Sequence, residues 1–216
     1  METKATLQIS QELEKKLLER GMDRKDFVKI NSFLAQLRDY HYPTYEHSER
    51  VGSVCFDIAK FTNVISPIPL SCAGRLHDIG KLEIKKELLE KYVNWNSEDE
   101  KQMQEHVYFG FKRLIGFSSF YSWTTLLSHR LKDGYPSEVP EWAENSSGKS
   151  EVAINYTALI VGIADSFDAA KYRKDDYGSP GNPRILNSRE VRQLLLRQNP
   201  HQSKLIKDLY RVGIFE

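Results

Sequence analysis

The stretch from Val152 to Tyr172 is the most apolar of the chain, with apolar side chains on nearly every side, and yet it contains Asp165 and Asp168. We interpret it as a core helix. A carboxylate inside such a helix has to be paired, protonated or bound to a metal, because burying it alone is costly. The sequence must therefore supply partners for these two carboxylates elsewhere.

The remaining pattern is also helical, with apolar residues recurring at helical spacing and no strand of consequence or internal repeat. We expect Ser10, Asp23 and Ser97 to cap helices, the last in a capping box with Glu100, and Gly21 to end one. The predicted helices are 10–20, one following Asp23, one from Thr44, 70–79, 97–114, 119–131, 152–172, 188–197 and 200–212. The predicted fold class is all-α, with residues 1–40 as an N-terminal helical pair for packing or regulation and 41–216 as the functional domain.

Charge and cysteine content exclude several classes of protein. Lys and Arg number 31 against 30 for Asp and Glu, so the net charge of +1 indicates neither a nucleic-acid polymer nor a membrane as partner. Cys55 and Cys72 lie in apolar helical patterns, as core thiols of a reducing compartment do. With no signal-like N-terminus and no run of membrane-spanning length, we expect a cytoplasmic protein. The sequence leaves a homodimer open.

A second helical run ends in His77-Asp78-Ile79-Gly80-Lys81. The imidazole is a nitrogen ligand for a metal, and the carboxylate can bridge two cations. Gly80 suits a helix C-terminus, and Lys81 can reach back as a fixed positive charge for a phosphate oxygen. Such a pair is most often only a local hydrogen bond, so the interpretation depends on further ligands.

The chain supplies these ligands at the ends or core faces of separate helices. The candidates are His47, His77, Asp78, His106, His129 and Asp165. Nitrogen and oxygen ligands of this kind suit one or two divalent cations, namely Mn, Fe or Mg, with Zn also compatible. No cysteine takes part, which argues against a structural zinc site. With Asp78 as a bridge, two metals could hold a hydroxide for in-line attack on phosphorus.

Several motifs in order resemble the HD-domain phosphohydrolases and, more narrowly, their HD-GYP subfamily, known for hydrolysing cyclic di-GMP and, in some members, related cyclic dinucleotides. The motifs are His47-Ser-Glu-Arg-Val, His77-Asp-Ile-Gly-Lys81, Glu105-His106, His129 through Asp133-Gly-Tyr-Pro136, and Ala164-Asp165-Ser-Phe-Asp168-Ala. The resemblance covers about residues 41–210. It implies a helical bundle with the metal site in its core.

The resemblance also implies residue roles. Asp78 and Lys81 would be the catalytic residues. The first metal would be held by His47, His77, Asp78 and Asp165, and the second by His106 and His129. Substrate would be bound by Lys81, Arg130, Asp133, Tyr135 and Asp168, with Tyr135 available to stack on a base in a loop over residues 132–150 that covers the site.

The chain departs from the family pattern at the second metal. Where the family usually has two adjacent histidines and a Glu, this chain reads Ser128-His129-Arg130, so one ligand is missing. Arg130 either adds a phosphate contact or replaces a metal charge. The loop after Asp133 is shorter than in the family, and Pro43 stands where some members carry a carboxylate, so no third metal is expected.

Three functions are compatible with these features. The prediction is a metal-dependent phosphodiesterase that hydrolyses a cyclic dinucleotide by metal-hydroxide attack on phosphorus. A nucleotide phosphohydrolase acting on a mononucleotide or dNTP is the first alternative, favoured by the weaker second metal site and the shorter loop. The other is an HD sensor or interaction module that has lost turnover.

Overall fold

We analysed the protein in a computed structural model, which describes residues 4–91, 94–141, 148–173 and 184–216. Every regular element in these ranges is helical, which confirms the all-α prediction. The α-helices are α1 (Lys4–Glu19), α2 (Arg24–Tyr40), α3 (Tyr42–Thr62), α4 (Pro67–Leu76), α5 (Lys86–Leu89), α6 (Ser97–Gln104), α7 (His106–Leu114), α8 (Ser119–Leu127), α9 (Arg130–Asp133), α10 (Gly148–Tyr172), α11 (Ser188–Gln198) and α12 (Ser203–Arg211). Short 3₁₀ helices occupy Ile79–Glu83 and Pro200–Gln202.

The N-terminal helices follow the expected pattern except at the start of α1. Ser10 was predicted to cap this helix, but it lies inside α1 and is buried, because the helix begins at Lys4. Gly21 adopts a φ of +86°, which ends the helix as expected. Asp23 caps α2 by accepting hydrogen bonds from the backbone N–H groups of Lys25 and Asp26.

The cap of α6 differs from the prediction by one residue. Asn96, not Ser97, accepts the backbone N–H of Asp99, and the carboxylate of Asp99 accepts the backbone N–H of Asn96 in return. A capping box needs an acceptor and a carboxylate or amide three residues apart, and both Asn96 with Asp99 and Ser97 with Glu100 satisfy that spacing. The sequence pattern alone was therefore ambiguous.

Three predicted helices are interrupted or end early, and each change occurs beside a candidate ligand. The prediction 70–79 ends at Leu76, 97–114 breaks at Glu105, and 119–131 ends at Leu127. At two of these points an imidazole hydrogen-bonds a carbonyl three residues earlier: Nδ1 of His77 donates to Gly74 O at 2.7 Å and Nδ1 of His106 to Met103 O at 2.6 Å. These bonds fix both rings at the helix junctions.

Gly80 serves close packing, not the helix C-terminus that the sequence indicated. A Cβ at Gly80 would lie 1.9 Å from the carbonyl oxygen of His106 and 2.4 Å from the backbone nitrogen of Gly110. Gly110 is itself tightly packed, since a Cβ there would lie 2.6 Å from Cγ2 of Thr125. Only glycine lets the 3₁₀ helix approach α7 this closely. The contact holds the His77-Asp78 segment against His106.

Helix α10 is the centre of the main core. Its buried residues Ile160, Val161 and Ile163 pack against apolar side chains of α3 and α4 and of the C-terminal helices. By length and composition Ser150–Tyr172 could cross a membrane, but 67% of its apolar window is buried inside the protein. It is the core helix that the sequence predicted, although it starts earlier, at Gly148.

The N-terminal pair packs on the same bundle that carries the candidate ligands. Leu13 and Leu17 of α1 share an apolar cluster with residues of α3 and α4. The guanidinium of Arg75, 1% exposed, lies 2.8 Å from the buried carboxylate of Glu49 and 3.4 Å from that of Glu14. The division into 1–40 and 41–216 remains a prediction, but α1 and α2 share an apolar cluster with α3 and α4.

The loop predicted over 132–150 is shorter than expected. Helix α9 reaches Asp133 and α10 begins at Gly148, and residues 142–147 lie outside the described ranges. In the described part, the hydroxyl of Tyr108 donates to the carbonyl of Glu138, which fastens this segment to α7.

Candidate metal centre

Five helices deliver the six predicted ligands to one buried place. His47 lies in α3, His77 and Asp78 follow α4, His106 begins α7, His129 follows α8, and Asp165 belongs to α10. All six residues are at most 8% exposed. Imidazoles and carboxylates that are buried this close together must neutralise one another or bind a cation.

The first group of ligands surrounds one oxygen of Asp78. Its Oδ2 lies 3.7 Å from Nε2 of His47 and 3.5 Å from Nε2 of His77. Asp165 approaches the same nitrogens with its Oδ1, 3.1 Å from His47 and 3.9 Å from His77. The ligand atoms of His47, His77 and Asp78 lie within 4.8 Å of one another, and Asp165 borders the two histidines, an arrangement that could hold a single metal ion.

The second group surrounds the other oxygen of Asp78. Its Oδ1 lies 3.4 Å from Nε2 of His106, and the ring of His129 stands edge-on to that of His106 with centroids 5.1 Å apart. The ligand atoms of these three residues all lie within 4.8 Å of one another. Asp78 therefore belongs to both groups, one oxygen in each, as a bridging carboxylate does.

Hydrogen bonds at Nδ1 fix the tautomers of the four histidines. Nδ1 of His47 donates to Asp168 Oδ2 at 2.7 Å, and Nδ1 of His129 donates to Asp133 Oδ2 at 2.9 Å. Nδ1 of His77 and of His106 donates to backbone carbonyls, as described above. Each proton is thus on Nδ1, which leaves the Nε2 lone pair for the centre.

These lone pairs test whether the site fits a metal. In the part of the chain that the structure describes, Nε2 of His77, His106 and His129 and Oδ1 of Asp78 are buried with no hydrogen-bond partner. Buried polar atoms are nearly always satisfied, so four unsatisfied acceptors in one cluster fit the binding of a cation. The donor set of imidazole and carboxylate fits a divalent metal, although it does not distinguish among Mn, Fe, Mg and Zn.

Protonation states agree with this assignment. Burial lowers the pKa of His77 to about 4 and that of His106 to about 3, so both rings are neutral near pH 7. Burial alone would raise the pKa of Asp78, but His77 and Lys81 outweigh it and hold this pKa well below its usual value. Asp78 is therefore ionised, and the neutral rings of His77 and His106 could bind a cation.

His47 differs from the other histidines because it meets two carboxylates. Burial and the charge of Arg173 lower its pKa, but hydrogen bonding to Asp165 and Asp168 reverses the balance, and the net pKa is raised. A proton on His47 would partly neutralise Asp165. A metal ion would replace that proton.

Asp168 is buried behind His47 and is not exposed to a substrate, contrary to what the sequence indicated. It was predicted to bind substrate, but it is 1% exposed and both of its oxygens accept hydrogen bonds from protein groups. Oδ1 accepts from Nε of Arg50 at 2.7 Å, and Oδ2 accepts from Nη2 of Arg50 at 3.0 Å and from Nδ1 of His47. Asp168 orients the ring of His47 through Nδ1, and both of its oxygens are already engaged by protein groups. The sequence signal for Arg50 was its position three residues after His47, on the same helical face.

The other predicted substrate residues lie at different depths. The ammonium of Lys81 lies 2.6 Å from Asp78 Oδ2, at the edge of the centre. Tyr135 stacks on the ring of His129, with centroids 4.8 Å apart, and Asp133 holds that ring from the other side. Arg130 is exposed and does not line the cleft described next, so neither predicted role for it is supported.

A cleft of about 1030 Å³ opens over the centre. His47, His106, His129 and Asp165 lie at its base, together with Lys81. Its walls also contain Arg173 and residues that sequence reasoning did not single out, and the main ones are His41, Arg50, Lys91, Trp95 and Tyr172. These walls combine cations with half-exposed aromatic rings. Helical periodicity marks buried faces and carries no signal for such residues.

Comparison with known families places the chain. The family model described as "HD domain" matches residues 44–170, more than half of the chain and all six candidate ligands. The chain therefore belongs to the HD-domain family, as the ordered motifs indicated.

Two curated relatives are cyclic-dinucleotide enzymes by name. A cyclic di-GMP phosphodiesterase of Thermotoga maritima is 31% identical over 174 residues, which are 75% of this chain and 44% of the relative. A 3′3′-cGAMP-specific phosphodiesterase 1 of Vibrio cholerae serotype O1 is 29% identical over 150 residues, 67% of this chain and 32% of the relative. The chain thus spans less than half the length of either relative.

Proposed function

We propose that the chain is a metal-dependent phosphodiesterase of the HD-GYP kind that hydrolyses a cyclic dinucleotide, cyclic di-GMP or a related molecule. The observation that carries the proposal is Asp78, which offers one oxygen to each of two histidine groups at the base of a large cleft. The names of the two relatives support the substrate class.

Bound divalent metal would supply Lewis-acid activation of water and of a phosphate oxygen. His47, His77, Asp78 and Asp165 would hold one ion, and His106 and His129 would serve a second one with Asp78. Lys81 is placed to donate a hydrogen bond to a phosphate oxygen while it remains next to Asp78. The stacked Tyr135 keeps His129 in place and covers that side from water.

The dimensions and walls of the cleft support a substrate with two bases. A volume of about 1030 Å³ is at the upper end of the range for small-molecule sites and exceeds what a mononucleotide needs. Trp95 is 43% exposed and Tyr172 is 48% exposed, and both line this cleft. Aromatic rings exposed in this way are platforms on which bases stack.

The nucleotide phosphohydrolase remains the second candidate because of Ser128. Its hydroxyl donates to the carbonyl of Thr125 at 3.0 Å, so it is committed to its own helix and is no substitute for the histidine that the family pattern has there. A centre that holds one ion tightly and the second weakly suits an enzyme that removes phosphate from a mononucleotide or dNTP.

We also propose that the protein works in the cytoplasm, without membrane attachment. The thiols of Cys55 and Cys72 are buried and unpaired, and α10 is a core helix. Unpaired thiols are typical of a protein from a reducing compartment.

A product profile tests the proposed function. Protein loaded with Mn or Fe is offered cyclic di-GMP, a mixed cyclic dinucleotide, dNTPs and nucleoside monophosphates, with Asp78→Ala as control. We expect opening of a cyclic dinucleotide by the unmutated protein only. Phosphate release from mononucleotides alone would establish the second candidate, and no turnover by the metal-loaded protein would favour a sensor module.

A further inference from the structure

His41 is a buried histidine of the cleft that has no place in the metal centre. It is 7% exposed, precedes α3 as its N-cap, and lines the same cleft as Lys81. Its surroundings are mixed in charge. Burial is the main influence and lowers its pKa, with the charges of Lys81 and Lys86 acting in the same direction and those of Glu90 and Asp78 opposing. The ring is therefore neutral near pH 7.

Its position as a cap fixes the location of the proton. The backbone N–H of Thr44 is shared between Nδ1 of His41, at 3.3 Å, and the carbonyl oxygen of His41, at 3.2 Å, and the hydroxyl of Thr44 lies 2.8 Å from Nδ1. An amide N–H can only donate, so Nδ1 carries a lone pair and the proton of the neutral ring is on Nε2. This tautomer is the reverse of the one assigned to the four metal-centre histidines.

The Nε2–H of His41 is a donor in need of an acceptor. It is buried and has no hydrogen-bond partner within the described residues. Leaving a buried donor unsatisfied is costly, and because His41 lines the cleft, a ligand that binds there can supply the acceptor.

We propose that His41 is a substrate-binding residue, whose Nε2–H donates a hydrogen bond to a phosphate oxygen at the Lys81 side of the cleft. This inference rests on the proposed phosphodiester chemistry of the site, which brings a phosphate there. Lys81 is already engaged with Asp78 at 2.6 Å, so a second, neutral donor completes the recognition of the phosphate. The neutral donor adds no positive charge beside the metal ligands.

The test uses inorganic phosphate as probe and His41→Asn as variant. Asn is among the best N-cap residues, so the substitution keeps the cap of α3 and removes Nε2–H. The control is His201→Asn, at an exposed histidine of a 3₁₀ helix that does not line the cleft. In calorimetric titrations of the Mg-loaded full chain, we expect His41→Asn to weaken phosphate binding about tenfold, as loss of a hydrogen bond to an anion does. The control should bind as the unmutated protein does.

A second measurement needs no variant. In two-dimensional ¹H–¹⁵N spectra of the imidazoles, His41 should show the Nε2–H tautomer, and its Nε2 resonance should shift when phosphate is added. Equal phosphate affinity of His41→Asn and the unmutated protein, no phosphate binding at all, or an Nδ1–H tautomer at His41 would each overturn the inference. If the product profile shows no hydrolysis of cyclic dinucleotides but the phosphate result holds, the proposed substrate fails and the role of His41 stands.

Discussion

Replacing Asp168 with Asn should weaken the metal centre without touching a metal ligand. Asp168 accepts three hydrogen bonds, one from His47 and two from Arg50, and an amide of the same size has only one acceptor oxygen. The NH₂ group must therefore face a donor. The substitution also removes one carboxylate from the Arg50 guanidinium, 17% exposed, which keeps the carboxylate of Glu46 at 3.4 Å and the ring of Tyr172 at 4.6 Å.

The expected losses of stability and of metal affinity follow from the burial of Asp168. Removing one partner of a buried charge pair costs about 3–5 kcal/mol, and the remaining contact with Glu46 reduces this to about 2–3 kcal/mol of unfolding free energy. Loss of the carboxylate that orients a ligating histidine lowers metal affinity about 10–100-fold. Chemical denaturation of the metal-free protein measures the first quantity, and calorimetric titration with Mn measures the second.

Asp133→Asn is the matched control. Asp133 holds His129 as Asp168 holds His47, but its side chain is 30% exposed. We expect it to cost less than about 1 kcal/mol in stability while it still weakens Mn binding. Unchanged Mn affinity in Asp168→Asn would refute the assignment of Asp168 as the group that orients His47.

Three further predictions concern packing, ligand number and protonation. Gly80→Ala should lower the unfolding free energy by more than about 3 kcal/mol in denaturant titrations, because its Cβ would overlap backbone atoms of α7, whereas Gly116→Ala, with nothing within 4 Å, should be neutral. Ser128→His should raise the affinity for a second Mn in competition titrations with a chelator, and an unchanged stoichiometry would mean that residue 128 does not face the second group. His106 has its folded pKa at about 3, below the usual 6.5, so the unfolded chain binds more protons between these values and the stability of the metal-free protein falls as pH is lowered from about 6.5. Unfolding at pH 7 and pH 5 should therefore show a smaller loss for His106→Gln than for the unmutated protein, and equal losses would contradict the assigned pKa.

Most helices could be predicted because burial imposes a period on the sequence. Ile30, Leu34 and Leu37 recur at helical spacing in α2 and are all buried. The helix breaks could not be predicted in this way, since they depend on tertiary contacts. The break at Glu105 lies beside the close approach of Gly80 to the carbonyl of His106, and nothing in the local sequence encodes that contact.

The candidate ligands could be named from the sequence because each combines a metal-binding side chain with a core-facing position. The same reasoning misplaced Asp168, since a motif shows that a carboxylate is near the site but not which way its oxygens face. His41 was missed for the opposite reason. It belongs to no apolar stripe, and its importance arises from a cap geometry that becomes visible only when α3 is in place.

The most direct test of the metal centre is the position of bound metal. Crystals of the protein loaded with Mn should show, in anomalous difference maps, a peak within bonding distance of Nε2 of His47 and His77. A second peak, weaker because Ser128 supplies no ligand, should lie on the His106 side of Asp78. Crystals of Asp78→Ala should lose both peaks. Absence of Mn from this place in the unmutated protein, or its presence only at surface carboxylates, would contradict the account.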